Sequence, residues 1–224
     1  MPMMNQKPNF KKAYLCANEI LVASSVLQTF PFSPTALVNE QSNIVCRTYG
    51  KAAKYGIDMK AFGSESATIF RYHDKCIIFY DEHKPKTHVT FSLLHEFGHE
   101  RLEHDFARKD AESYHNYEVE SNFFAAQLLM PEQLIRAMQS RGKNITCLFL
   151  QYAFGVSGQA ATKRLETLAK TNAEWHSRSE QEFDDVILNR YADFLNKVCP
   201  TNLRDYYDFE DEYERQQVRN SWYG

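Results

Sequence analysis

Long apolar runs are missing from this 224-residue chain. No stretch approaches the roughly eighteen consecutive apolar residues of a membrane-spanning helix, and the opening stretch, MPMMNQKPNFKK, lacks the apolar block of a secretory signal. Cysteine is sparse: Cys16, Cys46, Cys76, Cys147 and Cys199 stand singly, odd in number and without a C-x-x-C pair. That is the cysteine usage of a reduced chain rather than of a disulfide scaffold. Internal repeats and low-complexity tracts are absent too. Nor is there an excess of positive charge, since 26 Lys and Arg stand against 29 Asp and Glu for a net −3. This balance speaks against a broad phosphate-binding surface and against direct nucleic-acid binding. The expectation is a soluble cytoplasmic protein with no membrane partner.

What is present is the composition of a folded chain, 43% hydrophobic and 25% charged, with material for one domain and appendages. The first fifty-odd residues read as two helices, the second opened by Ser33-Pro34 as cap and first helical residue of TALVNEQSNIVCRTYGKAAKYG. ATIFRY and KCIIFY, separated by His73-Asp74, read as a β-hairpin. Thr87 is a candidate N-cap for the helix HVTFSLLHEFGHERLEH. After the polar loop DFARKDAESYH comes a second helical run, NYEVESNFFAAQLLM, ended by Pro131. ITCLFLQYAF, GVSG and QAATKRLETLAK then read as helix, turn and helix. Residues 171–178 are linker-like, EFDDVILNRYADFLNKV reads as a last helix, and an acidic, aromatic tail follows Pro200.

Chemistry concentrates in LLHEFGHERLEH, from residue 93. Four helical residues advance about 400° and rise about 6 Å, so His95 and His99 project from one face and can converge on a single metal ion. Glu96, rotated by about 100°, can reach a water at that ion rather than the ion itself. Metal to acidify water and carboxylate to take its proton is what a zinc hydrolase needs. The bland alternative is an ordinary polar helix face. Its apolar neighbours Phe91, Leu93, Leu94 and Phe97 argue for burial instead, where polar groups need partners.

A third ligand must come from elsewhere. Asp105 would serve in the metzincin pattern, but Leu102 stands where that pattern has its turn-making glycine, so no turn is expected there. His104 would point about 140° away from His99 on a continuing helix, which suits an outer position or the surface. The following helix offers Glu118 and Glu120, the arrangement of gluzincins. Asn122, one turn after Glu118, is placed to hydrogen-bond a ligand. Glu120 lies about 200° around the helix and should face away if Glu118 faces the metal.

Three blocks carry a family resemblance: FSLLHEFGH (91–99), EVESNFFAAQLLMP (118–131) and FGVSGQAATKRL (154–165). With the upstream KCIIFYDE, the chain over about residues 56–170 resembles the ImmA/IrrE family of zinc metallopeptidases. Ser92 stands for the usual threonine, and Leu94 and Ser121 for alanines, all changes that leave the ligand positions intact. The resemblance implies Zn2+ held by His95, His99 and Glu118, Glu96 as general base, and Asn122 supporting a ligand. It also implies a regulatory protease that cleaves a protein partner, a helix-turn-helix DNA-binding repressor of a mobile element or stress locus.

Together these readings predict an α+β fold. Helices surround a small antiparallel sheet, with a helical N-terminal extension (1–55), a metallopeptidase domain (56–170) and a helical, acidic C-terminal extension (171–224). A different class stays in view, because V-S-x-x-A-A-x-x-R-L also suits a DNA-reading helix-turn-helix, with Lys163 and Arg164 reaching phosphates. Tyr114, His115, Tyr117 and His88 are candidates to stabilise an oxyanion. The tail acids Asp205, Asp208, Glu210, Asp211, Glu212 and Glu214 could dock a basic partner.

Overall fold

The computed structural model describes residues 7–59, 66–73, 75–105, 111–171 and 176–200. Helix α1 (Phe10–Ala23) starts where the Asn9 side chain accepts the Lys12 N–H, a side-chain cap for an otherwise orphaned donor. Ser33 caps α2 (Pro34–Asn39) as the sequence implies, with Pro34 in the first turn.

The helix expected to continue from there does not. It stops after six residues, and Ile44–Thr48 form strand β1, followed by a short α3 (Tyr49–Lys54). β-Branched Ile44 and Val45 favour the strand. Asn39 fixes its entry by accepting the Cys46 N–H at 2.8 Å, and Thr48 ends it by capping α3.

Strands β2 (Ala67–Tyr72) and β3 (Lys75–Tyr80) form the expected antiparallel hairpin, with His73 at a φ of 52° in its turn. β1 adds on the far side of β3 in parallel, Ile44 opposite Cys76, giving the order β1-β3-β2. The sheet is therefore mixed rather than antiparallel, within the mainly helical α+β fold that the sequence implies. The extra strand comes from a segment whose alternation was masked by its helical neighbours.

Helix α4 (Lys86–Arg101) packs on the sheet through β2 and β3, and α5 (Ala111–Leu129) packs on α4. α4 begins one residue before the expected cap: Pro85, not Thr87, is its N-cap. α5 starts five residues earlier than the polar run Ala111–His115 suggests. α1 lies along the other side of α5. The remaining helices are α6 (Glu132–Ser140), α7 (Cys147–Phe154), α8 (Gly158–Leu168), α9 (Arg178–Gln181), α10 (Asp184–Arg190) and α11 (Ala192–Val198).

The last expected helix breaks at Tyr191. Its buried hydroxyl donates to the Leu21 carbonyl at 2.8 Å, tying the end of the described chain to its beginning. One apolar core runs through Ala13, Leu21, Leu94, Phe124, Leu134, Phe154 and Phe194, so segments on both sides of residues 56–170 are packed into it. The tail acids, which lie beyond Pro200, fall outside the described residues.

α7 and α8 are the expected helical pair, with Gly155 at a φ of 67° in the turn. Arg164 does not face solvent. It is 1% exposed, donates through Nε to the Met130 carbonyl at 3.0 Å, and bonds through Nη2 to Gln127 Oε1. A guanidinium spent on the core cannot contact phosphates. Lys163 is exposed and pairs with Glu166.

Candidate metal centre

Close approach of α4 and α5 builds the site. Gly98 makes it possible: a Cβ there would lie 2.9 Å from Phe124 Cδ1 and 3.3 Å from Ser121 Cα. With the helices in contact, Glu118 on α5 meets the histidine face of α4. Nε2 of His95 and Nε2 of His99 are 3.0 Å apart. Glu118 places Oε2 at 3.3 Å from the first and Oε1 at 3.3 Å from the second. A tetrahedral ion with bonds near 2.0–2.1 Å has donor–donor edges of about 3.3 Å. The two 3.3 Å separations run to different Glu118 oxygens, so they are not edges of one tetrahedron, but the N, N, O donors all lie within 4.8 Å of one another, a set that fits a metal ion at His95, His99 and Glu118.

Glu118 is the member of the glutamate pair that joins this cluster. Glu120 points the other way, as helix geometry requires, and is buried against His104, with 3.0 Å between Oε2 and Nε2. Asn122 accepts from His95 Nδ1 at 3.0 Å. That bond places the ring proton on Nδ1 and leaves Nε2 free to ligate. Among the described residues Asp81, Glu82 and His83 also bring possible ligands together. There Glu82 accepts the Gly50 N–H and Asp81 the His83 N–H, the contacts of a surface turn.

Electrostatics follow from the crowding. Hydrogen bonds from His95 and His99 hold the Glu118 carboxyl far below the usual carboxylate range. Burial pulls His95 down, but the hydrogen bond and charge of Glu118 outweigh it, so His95 ends above its ordinary value. For His99 burial wins and its value falls. Burial, together with the Glu118 charge, pushes Glu96 up to about 7 despite His95 and the Ile69 N–H. Burial also holds His104 low, against the pull of Glu120. A dication at the cluster would draw Glu96 back toward ionisation.

The turn after Leu102 corrects the sequence reading, and of the two places the sequence offered for His104 it selects the one behind a ligand rather than the surface. The chain does turn after Leu102 without a glycine, because Glu103 itself takes a left-handed φ of 58°. The Glu103 N–H bonds to the Glu100 carbonyl and the His104 N–H to the His99 carbonyl, both at 3.1 Å. This is a Schellman closure, and it swings His104 back beside His99 rather than 140° away. Arg71 on β2 staples the turn, donating to Glu100 Oε2 at 2.7 Å and to the His104 carbonyl at 2.9 Å. Neither Glu103 nor Arg71 carries a sequence signal for this role. Gly98 does, as a glycine inside a buried helix.

Of the four oxyanion candidates, Tyr114 senses the cluster electrostatically, the Glu118 charge raising its phenol above the ordinary value. Tyr117 stacks on His104 at 4.3 Å, His88 bonds to Ser66 at 2.6 Å, and His115 is exposed. Beside Asn122 opens a largely apolar cavity of about 930 Å³, walled by Phe10, Phe91, Phe123 and Ala126 with Lys163 among its lining.

The family Peptidase_M78, described as the IrrE N-terminal-like domain, matches over residues 52–166, half of the sequence. No curated protein matches. No helix among the described residues is long and apolar enough to cross a membrane.

Proposed function

The chain belongs to the IrrE N-terminal-like family of peptidases, and from that premise we propose that it is a zinc-dependent endopeptidase making a limited cut in a DNA-binding repressor. The observation that carries the metal reading is the convergence of one donor atom each from His95, His99 and Glu118 within 4.8 Å of one another, with Glu96 beside them. Zinc, when bound, would acidify a water toward a pKa of about 7 and polarise a carbonyl.

This chain's own residues do the rest. Asn122 keeps His95 in its ligating tautomer. Glu96, partly buried beside the cluster, takes the proton as water adds to the peptide carbonyl. It then passes a proton to the amine nitrogen as the C–N bond breaks. Tyr114, whose phenol senses the Glu118 charge, would be the donor to the developing oxyanion. The apolar cavity beside Asn122 suits the side chains of a bound peptide.

The repressor reading rests on the family resemblance. The acidic residues beyond Pro200 support it, since they offer a complement to a basic DNA-binding domain. A cytoplasmic setting follows from the same reading. The test is parallel incubation of the purified chain with casein and with the helix-turn-helix repressor encoded beside its gene, with Glu96→Gln as control. The expected result is one or a few cuts in the repressor, slowed by salt, casein spared and the control silent. Rapid loss of casein with the repressor intact would replace this reading with an unspecialised protease.

A further inference from the structure

A line of buried polar groups runs away from the metal centre behind His99. Nδ1 of His99 lies 2.9 Å from Nδ1 of His104, and Nε2 of His104 lies 3.0 Å from Glu120 Oε2. The other carboxylate oxygen, Oε1, accepts the backbone N–H of Asn9 at 2.6 Å. His99, His104 and Glu120 are 2%, 3% and 7% exposed, so these groups must satisfy one another rather than water.

Their polarity is forced by chemistry. A carboxylate accepts only, so His104 carries its proton on Nε2 and donates it to Glu120. Its Nδ1 is then bare and must accept. Ser121 Oγ, 3.4 Å from that same nitrogen, can donate to it without disturbing this order. His99 therefore donates from Nδ1 to His104 and keeps a lone pair on Nε2, the atom that faces His95 and Glu118. The reverse polarity would put a proton where a metal must bind.

We propose that His104 and Glu120 are positioning residues that lock His99 in its Nδ1–H tautomer and thereby hold its Nε2 ready for the metal, an inference that rests on the metal reading above. Asn122 does for His95 with one bond what this chain does for His99 with two. Two features keep the chain in place. Tyr117 stacks on the His104 ring at 4.3 Å and 13°, and the Schellman turn at Glu103 aims that ring inward. The far end is tied to α1, because Asn9 both caps that helix and donates to Glu120. Docking of the N-terminal helix is thus part of the ligand's support.

The experiment measures zinc affinity of the full chain by competition with a chelating dye, for wild type, His104→Leu and His104→Gln. Leucine fills space without polar groups. Glutamine carries an acceptor oxygen and a donor N–H that can take the places of the two ring nitrogens. The leucine variant should bind zinc about 10–100-fold more weakly, as loss of an outer partner of a metal ligand typically does. The glutamine variant should recover most of that loss. A role in packing alone would lower the thermal stability of the metal-free variants and leave no such split between them.

Equal affinity in wild type and His104→Leu, or equal losses in both variants, would overturn the relay while leaving the metal site standing. A wild type that binds no zinc would overturn both. A second measurement needs no variant: the nitrogen-15 spectrum of the zinc-loaded protein should show His104 protonated on Nε2 and bare on Nδ1. A His104 protonated on Nδ1 would refute the assignment.

Discussion

Gly98→Ala adds a single methyl group at the point where α4 and α5 touch. That methyl carbon would sit 2.9 Å from Phe124 Cδ1 and 3.3 Å from Ser121 Cα. Carbon pairs rest at about 3.5–4.0 Å, so the contacts must open by roughly 0.2–0.6 Å. The Phe124 ring can turn away, but the Ser121 backbone can only move with its helix. Replacing glycine inside a helix gains about 0.5–1 kcal/mol, whereas overpacking a close contact costs about 1–3 kcal/mol. The net is a destabilisation of at most about 2.5 kcal/mol, a fall of several degrees in Tm for a chain of this size. Glu118 lies one turn from Ser121, so the same opening draws its carboxylate away from His95 and His99. Metal bonds tolerate only about 0.2 Å of misplacement, and zinc affinity should drop about tenfold, within the usual range for a disturbed ligand support. Thermal unfolding of the metal-free protein and a zinc competition titration read the two effects separately. An alanine variant that melts higher than wild type and binds zinc equally well would refute the contact that brings Glu118 to the site.

Three further outcomes are expected. Glu118→Ala removes a ligand and should cost more zinc affinity than Glu120→Ala, whose effect passes through His104 and should stay within about 10–100-fold; a larger loss for Glu120→Ala in the same dye titration would reverse the assignment. Glu96→Gln should keep its zinc and lose about 10²–10⁴-fold in hydrolysis, read by cleavage of the repressor. Zinc affinity should also fall with pH: Glu118 raises His95 above its ordinary value, so protons begin to compete with the metal at a higher pH than for a free imidazole. Below that point affinity should fall about tenfold per pH unit for each proton displaced, and a flat profile from pH 8 to 5 would contradict it.

Much of the candidate site is legible in the sequence because it is periodic. The four-residue spacing of His95 and His99 and the half-turn offset between Glu118 and Glu120 are consequences of helix geometry, and they hold in the structure. Asn122 was equally readable, one turn beyond Glu118. The helical majority of the fold followed from the same periodicity. What escaped lies where the chain leaves a regular element. β1 is five residues long and sits between two short helices, too brief for its alternation to stand out. The turn after Leu102 depends on a left-handed glutamate, a conformation that residue type does not announce. A continuing helix would point His104 away from His99, but α4 has already ended at Arg101. For Arg164 the sequence allows either a helical pair packed on the core or phosphate contact, and its bonds to Met130 and Gln127 decide for the core.

On the proposed reading, His95, His99 and Glu118 hold a metal ion that this chain needs for its chemistry. Elemental analysis of the protein, purified without chelator or added metal, tests it most directly when wild type and His99→Ala are measured side by side. Close to one zinc per wild-type chain and little in the variant is the expected result, because two donors hold the ion poorly. A wild type free of transition metal, or a His99→Ala variant that retains a full equivalent, would contradict it.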